Sequence, residues 1–253
     1  MMKLGSASAR QDYGESARLP LFLTDLEDFM YATPAGTVFL VNYEEKIYGL
    51  TCHHVLGDKE LHRLVITDQK AALKGGKLAP ISGVYYTKPN TETTEGTDIV
   101  DVCVIDFGDD LDANFFHGSA YRLHQTTAVT SQRGDHLEVS GVLAEKVDIT
   151  PPDIQAGYCC LQFLDDGPHR YDPFLRQAKA KYRNVNFKDI SGISGAPVFN
   201  VSRNALCGMS IRGGMIGEDC SMLYVDAFDL LKTIESIHEG KPKAFYKKYM
   251  PVG

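Results

Sequence analysis

The 253-residue chain has no run of Lys or Arg longer than two, and its formal net charge is -7. A nucleic-acid groove or an anionic membrane surface needs concentrated positive charge, so neither partner is expected. No apolar stretch approaches the ~20 residues of a spanning helix. The opening MMKLGSASARQDYGESARLP holds a lysine with no apolar core behind it, and so reads as a flexible lead-in rather than a secretory leader. The six cysteines contain no C-x-x-C pair, and Cys159 and Cys160 are adjacent, which makes a mutual bridge awkward. Cys103 and Cys207 lie in apolar runs, where a thiol behaves as a small hydrophobe. That usage suits a reducing compartment, so a cytoplasmic location is expected. There is no internal repeat, and low complexity is confined to NTETTEGT at 90–97.

What the chain does contain is strand signal. GTVFLVNYEEKIYGLTCHHVL reads as two β runs around a polar turn, and HRLVITD, ISGVYYT and VDVCVIDF follow. A second group comprises HLEVSGVLAE, YCCLQFL, APVFNVS, LCGMSIRG and SMLYVDA, with a hairpin turning at Ser202–Asn204. Many short strands without βα alternation argue for sandwiches or barrels. Two helices are predicted. LTDLEDFMYA forms a short one capped by Thr24. VDAFDLLKTIESIHEGKP forms a longer one, with Ala227, Leu230, Leu231, Ile234 and Ile237 or His238 on one stripe, ended by Gly240 and Pro242.

Within this β pattern stands a set of residues suited to acyl transfer. A nucleophilic serine needs a base, a carboxylate to orient that base, and donors for the oxyanion. GLTCHHVLGD offers His53 and His54 at a strand end. GTDIVDVCVIDFG offers Asp98, Asp101 and Asp106. GISGAP offers Ser194 at a glycine-lined bend, where the N–H groups of Gly192 and Ser194 can converge on one oxyanion. The order His, Asp, Ser excludes an α/β-hydrolase, which needs G-x-S-x-G and the order Ser, Asp, His.

These segments resemble those of chymotrypsin-like serine proteases, including the bacterial Deg-type members. LTCHHV is similar to their TAAHC/TAAHV, DVCVIDF to DIALLKL, GISGAPV to GNSGGPL and GTVFLV to GTGFLI/V. The resemblance implies an all-β fold of two six-stranded antiparallel β-barrels with a C-terminal α-helix. It also implies a layout: a lead-in at 1–18, a first barrel at 19–115, a connection at 116–135, a second barrel at 136–225, the helix at 226–240 and a tail at 241–253. By motif position the base is His54, the orienting carboxylate Asp101 and the nucleophile Ser194, with Gly192 and Ser194 as oxyanion donors. The separations are 47 and 93 residues.

The implied function is a trypsin-like serine endopeptidase acting on a protein or peptide substrate, with no cofactor. Substrate would lie along Ile211, Arg212 and Gly213. The family's pocket floor maps onto Lys188, with Asp189 beside it: a lysine there departs from the trypsin aspartate and favours an acidic or polar side chain, while a one-residue shift of the loop puts Asp189 at the floor, so the preference stays open. Ile193 stands where digestive relatives carry the aspartate that captures a newly cut N-terminus, so no activating cleavage is expected. Any control would come from a separate regulatory protein, since the chain shows no regulatory domain. The competing class is a silent protease-fold binding module. A metal site at Cys52, His53, His54 and His62 is disfavoured, because neighbours on a strand point to opposite faces.

Overall fold

The computed structural model describes residues 15–25, 30–32, 36–57, 60–68, 77–87, 101–112, 114–116, 118–150, 153–170, 172, 174–181, 192–216, 219–241 and 245–249. The first lobe holds β1 (Ala17–Arg18), β2 (Pro20–Asp25), β3 (Met30–Ala32), β4 (Val38–Tyr43), β5 (Lys46–Thr51), a helical turn α1 (His53–Leu56), β6 (Leu64–Thr67), β7 (Leu78–Pro80), β8 (Gly83–Thr87), β9 (Cys103–Asp106) and β10 (Tyr121–Arg122). The second holds β11 (His136–Thr150), β12 (Asp153–Pro168), β13 (Leu175–Ala180), β14 (Pro197–Asn200), β15 (Ala205–Ile216) and β16 (Asp219–Asp226). Helix α2 (Ala227–His238) and strand β17 (Phe245–Tyr249) complete the chain.

In the second lobe β11-β12-β13-β16-β15-β14 close into a six-stranded barrel. The first lobe pairs β1-β4-β5-β9-β8-β17 into a sheet that β10 joins alongside β4, and stacks it on β3-β2-β6-β7. The central strands β4, β5 and β9 are buried on both faces. Val38, Leu40, Cys103 and Ile105 face the first lobe's core, while Phe39, Val41, Leu50 and Val104 face a cluster shared with the second lobe and α2. Continuous runs such as VFLV, without polar alternation, are the sequence mark of such strands. The β4–β5 turn places Glu44 (φ 47°) and Glu45 (φ 67°) in the left-handed region, as a two-residue hairpin requires.

Helix α2 buries Ala227, Leu230, Leu231, Ile234 and Ile237. Each of the leucine and isoleucine side chains contributes roughly 1.5–3 kcal/mol on leaving water. Asp226 caps the helix by accepting from the Phe228 N–H (2.9 Å), and Gly240 leaves it at φ 69°. His238 lies off the stripe, with Nδ1 3.1 Å from the Tyr48 hydroxyl and Nε2 3.3 Å from Glu44. The β14–β15 hairpin turns through Ser202–Asn204 as expected.

Two sequence expectations fail. The helix predicted over LTDLEDFMYA is absent where it is described: β2 runs to Asp25 and β3 begins at Met30. Leu23 and Asp25 pair antiparallel with Tyr31 and Met30, so the described ends of the segment form a ladder in place of a helix. The expected tail contains β17, whose FYKKY pairs antiparallel with the edge of β8. All six cysteines are unbridged. Among the described residues, no helix is long and apolar enough to cross a membrane.

The second barrel also encloses a polar knot. Arg176 donates through Nη2 to Asp165 Oδ1 (2.9 Å) and through Nε to the Tyr224 hydroxyl (3.0 Å). Ser131 and Tyr224 both donate to Asp165 Oδ2. Burial alone would raise the Asp165 pKa, but the hydrogen bonds from Arg176, Ser131 and Tyr224 outweigh it and hold the carboxyl below its ordinary value.

Candidate active site

Strand β5 ends at Thr51, and Cys52 (φ -100°, ψ 148°) leads into the single turn α1. Val55 and Leu56 anchor that turn in the cores, and Gly57, at φ 58°, closes it with its N–H on the His53 carbonyl (2.7 Å). The two histidines therefore sit on a turn, exposed, instead of alternating along a strand. His53 donates its backbone N–H to the Asp101 carbonyl (3.3 Å) and sets its ring edge-on to Tyr86. His54 engages both oxygens of the Asp101 carboxylate. Its N–H donates to Oδ1 at 3.1 Å, and its Nδ1 is hydrogen-bonded to Oδ2. Asp101 is nearly buried, with 10% of its side chain exposed, whereas the His54 ring is 43% exposed. With Nδ1 held by the carboxylate, Nε2 is the nitrogen left for proton transfer. Asp106 is occupied elsewhere, 3.5 Å from Lys46 Nζ and accepting from the Gly108 N–H. Asp98 lies outside the described residues.

The serine bend owes its shape to glycines and to Thr37. Gly192 (φ 108°) and Gly195 (φ 86°) occupy backbone conformations that disfavour side chains. A Cβ on Gly195 would also stand 2.0 Å from the Thr37 carbonyl oxygen. Thr37 holds the bend from the first lobe: its N–H donates to the Ser194 carbonyl (2.8 Å) and its Oγ1 to the Gly192 carbonyl (2.8 Å). The same Oγ1 accepts from the Val142 N–H (2.9 Å). Both carbonyls are thus turned toward Thr37, and the Gly192 and Ser194 N–H groups are given no partner among the described residues. The Ser194 hydroxyl makes no hydrogen bond to His54 among the described residues. Such bonds often tighten only with substrate in place.

Sequence reasoning missed Thr37, although GTVFLV carried it. Thr37→Val keeps the shape and strands two buried hydrogen-bond partners, each worth about 1–3 kcal/mol. Thermal melting is expected to fall by roughly 5–15 °C, measurable without any assay of activity. An unchanged midpoint would show that the bend is held by other contacts.

Cys52 ties the two halves together. Its Sγ lies 3.5 Å from the Ser210 carbonyl oxygen and 3.7 Å from that of Ile211, and it accepts from the Gly195 N–H next to Ser194. Burial, reinforced by the Asp101 charge, pushes this thiol well above its ordinary pKa. Gly195 in turn donates to the Ser210 carbonyl (2.7 Å), and Ser210 donates to that of Ala196 (2.8 Å).

Of the residues expected to meet substrate, Ile211 is buried, while Arg212 and Gly213 are exposed on β15. There β15 is paired on one side by β16, through Arg212↔Leu223 and Gly213↔Met222. On its other side β14 begins at Pro197, opposite Met209, so the ladder with β14 stops short of these residues. Lys188 and Asp189 lie outside the described residues. The strand-alternation argument against a metal does not hold, because Cys52 and His54 are not in a strand and both approach Asp101.

No protein-family model and no curated protein matches this sequence. Solved structures do. Neuropsin, a serine protease expressed in the limbic system of mouse brain, superposes with a TM-score of 0.57 at 12% identity, over 90% of this chain and 96% of that one. Scabies mite inactivated protease paralogue S-I1 gives 0.59 at 16% identity over 89% and 95%. Paralogue S-D1 gives 0.60 at 12% identity over 90% and 94%. The fold is chymotrypsin-like.

Proposed function

We propose that this protein is a serine endopeptidase in which His54 removes the proton of Ser194 as Ser194 attacks a peptide carbonyl. His54 then returns the proton to the leaving amine. Asp101 fixes the ring tautomer and stabilises the imidazolium, and the N–H groups of Gly192 and Ser194 hold the oxyanion. The observation that carries this reading is the hydrogen bond between Asp101 Oδ2 and His54 Nδ1, which orients the ring, while the backbone N–H of His54 fixes the other carboxylate oxygen. Substrate adds as a strand to the β15 edge at Ile211–Gly213, where the exposed Arg212 cation favours acidic or polar side chains. The site works in the cytoplasm, without a cofactor, and any control comes from a separate protein.

A fluorophosphonate probe tests the assignment directly, because only an activated serine reacts. Labelling at Ser194 is the expected result. A chain that stays unlabelled with and without cell extract is a binding module, the reading that the two inactivated paralogues among the fold neighbours keep in view.

Activation follows from Ile193, which is 1% exposed in the core of the second barrel. An apolar side chain there offers nothing to a buried ammonium, and an unpaired buried charge is costly. A form beginning at Glu15, which retains β1, is expected to hydrolyse a peptide at the same rate as the whole chain. Turnover by the shortened form alone would show that a cleavage step exists.

A further inference from the structure

Cys52, His54 and Asp101 each offer one ligand atom, and these three atoms lie within 4.8 Å of one another. We propose that they form a zinc site, and that zinc bound there holds the protease inactive. The inhibitory half rests on the hydrolase reading above; the binding half does not.

Thiolate, imidazole and carboxylate are the donors that Zn²⁺ takes, at about 2.3, 2.0–2.1 and 2.0–2.2 Å respectively. Tetrahedral ligands at those lengths stand roughly 3.5 Å apart, so atoms already within 4.8 Å of one another must shift by on the order of 1 Å to bind. Two anionic ligands balance the charge of a divalent ion, which suits a site whose thiol is fully buried and whose carboxylate is nearly so. On binding, the Cys52 S–H and the His54 Nδ1–H each lose a proton to solvent. Zn–S and Zn–N bonds form, and Asp101 exchanges its hydrogen bond for a Zn–O bond. Water takes the fourth position from the side of the exposed His54 ring. Beside the site, Ser210, whose carbonyl oxygen lies 3.5 Å from the Cys52 Sγ, has a fully buried hydroxyl with no partner among the described residues. With Nδ1 on the metal, Asp101 no longer orients the ring and His54 no longer serves as a base.

The T-x-x-H segment of the resembled family carries alanine where this chain has Cys52, so Cys52→Ala removes a ligand while leaving the proposed triad whole. The experiment compares the whole chain with this variant, both stripped by a chelator, their folding checked by thermal melting. Titration with zinc against a chromogenic chelator is expected to give one site per chain, weakened by more than about 100-fold in the variant, beyond what loss of an outer-shell partner costs. The cobalt adduct should show a thiolate-to-metal charge-transfer band that the variant lacks. His54→Ala offers a second ligand deletion if Cys52→Ala fails to fold. Zinc should reversibly lower fluorophosphonate labelling of the native chain against its own zinc-free rate, and leave the labelling rate of Cys52→Ala, against its own zinc-free rate, unchanged. Equal zinc affinity in the two proteins, or a cobalt adduct without the thiolate band, overturns the site. If the native chain never labels, the hydrolase reading falls, while affinity and spectrum still decide the metal.

Discussion

Ser194→Ala is expected to abolish peptide hydrolysis and fluorophosphonate labelling while leaving the thermal midpoint in place, because it removes one hydroxyl and nothing that the bend depends on. The bend is held by backbone groups at Gly192, Ser194 and Gly195 and by Thr37. His54→Ala should be nearly as damaging. His53→Ala should be mild, since its contact with Asp101 runs through the backbone N–H, which alanine keeps. Asp101→Asn should lower turnover on the order of 10⁴-fold by presenting an amide donor to Nδ1 and so favouring the wrong tautomer. These variants are to be compared by kcat on one peptide, with folding checked by melting. Equal losses at His53 and His54 would refute the assignment, as would a larger loss from Asp98→Asn than from Asp101→Asn.

Arg176→Ala is expected to be strongly destabilising. It leaves the buried carboxylate of Asp165, whose side chain is fully buried, without its cation. Breaking a buried pair in this way costs about 3–5 kcal/mol, or roughly 6–20 °C in midpoint for a chain of this size. The pH dependence has a definite sign. The folded-state pKa of Asp165 is depressed, so its network contributes stability above the unfolded value of about 3.9, and that contribution is lost as pH falls through the folded value. The native protein should therefore lose this stability only in acid, and the gap to Arg176→Ala should narrow there. A gap that stays constant from neutral pH into acid would mean that Arg176 acts by packing alone.

The legible parts of the fold were those where neighbouring residues sufficed to specify the outcome. The stripe of α2 and the Ser202–Asn204 turn are local patterns, and the structure reproduces both. The segment at 23–32 reads as helix because a short apolar-polar mixture fits helix and strand alike; its described ends instead pair with each other, β2 against β3. The pairing of β17 was hidden too: FYKKY carries strand propensity, but its partner lies some 160 residues away in the chain. At the site, motif order brought His54 and Asp101 under notice, and the structure places them in contact. The role of Thr37 was not legible, because hydrogen bonds to carbonyls at 192 and 194 leave no trace in residue identity. The involvement of Cys52 was obscured by treating Cys52 and His54 as strand residues, when the strand ends one residue earlier.

The placement of β17 on β8 has a consequence for the order in which the chain can acquire its shape as it is made. All six strands of the second barrel come from one stretch, residues 136–226, so that barrel has all of its strands before β17 emerges. The first lobe is made earlier but finishes later. Its sheet contains both β1 and β17, the earliest and latest strands described, and the edge of β8 stays uncovered until Phe245–Tyr249 has been synthesised. The nascent lobe that carries His54 and Asp101 is therefore complete only once β17 has left the ribosome, and a stop between α2 and β17 would release a chain with an open β edge.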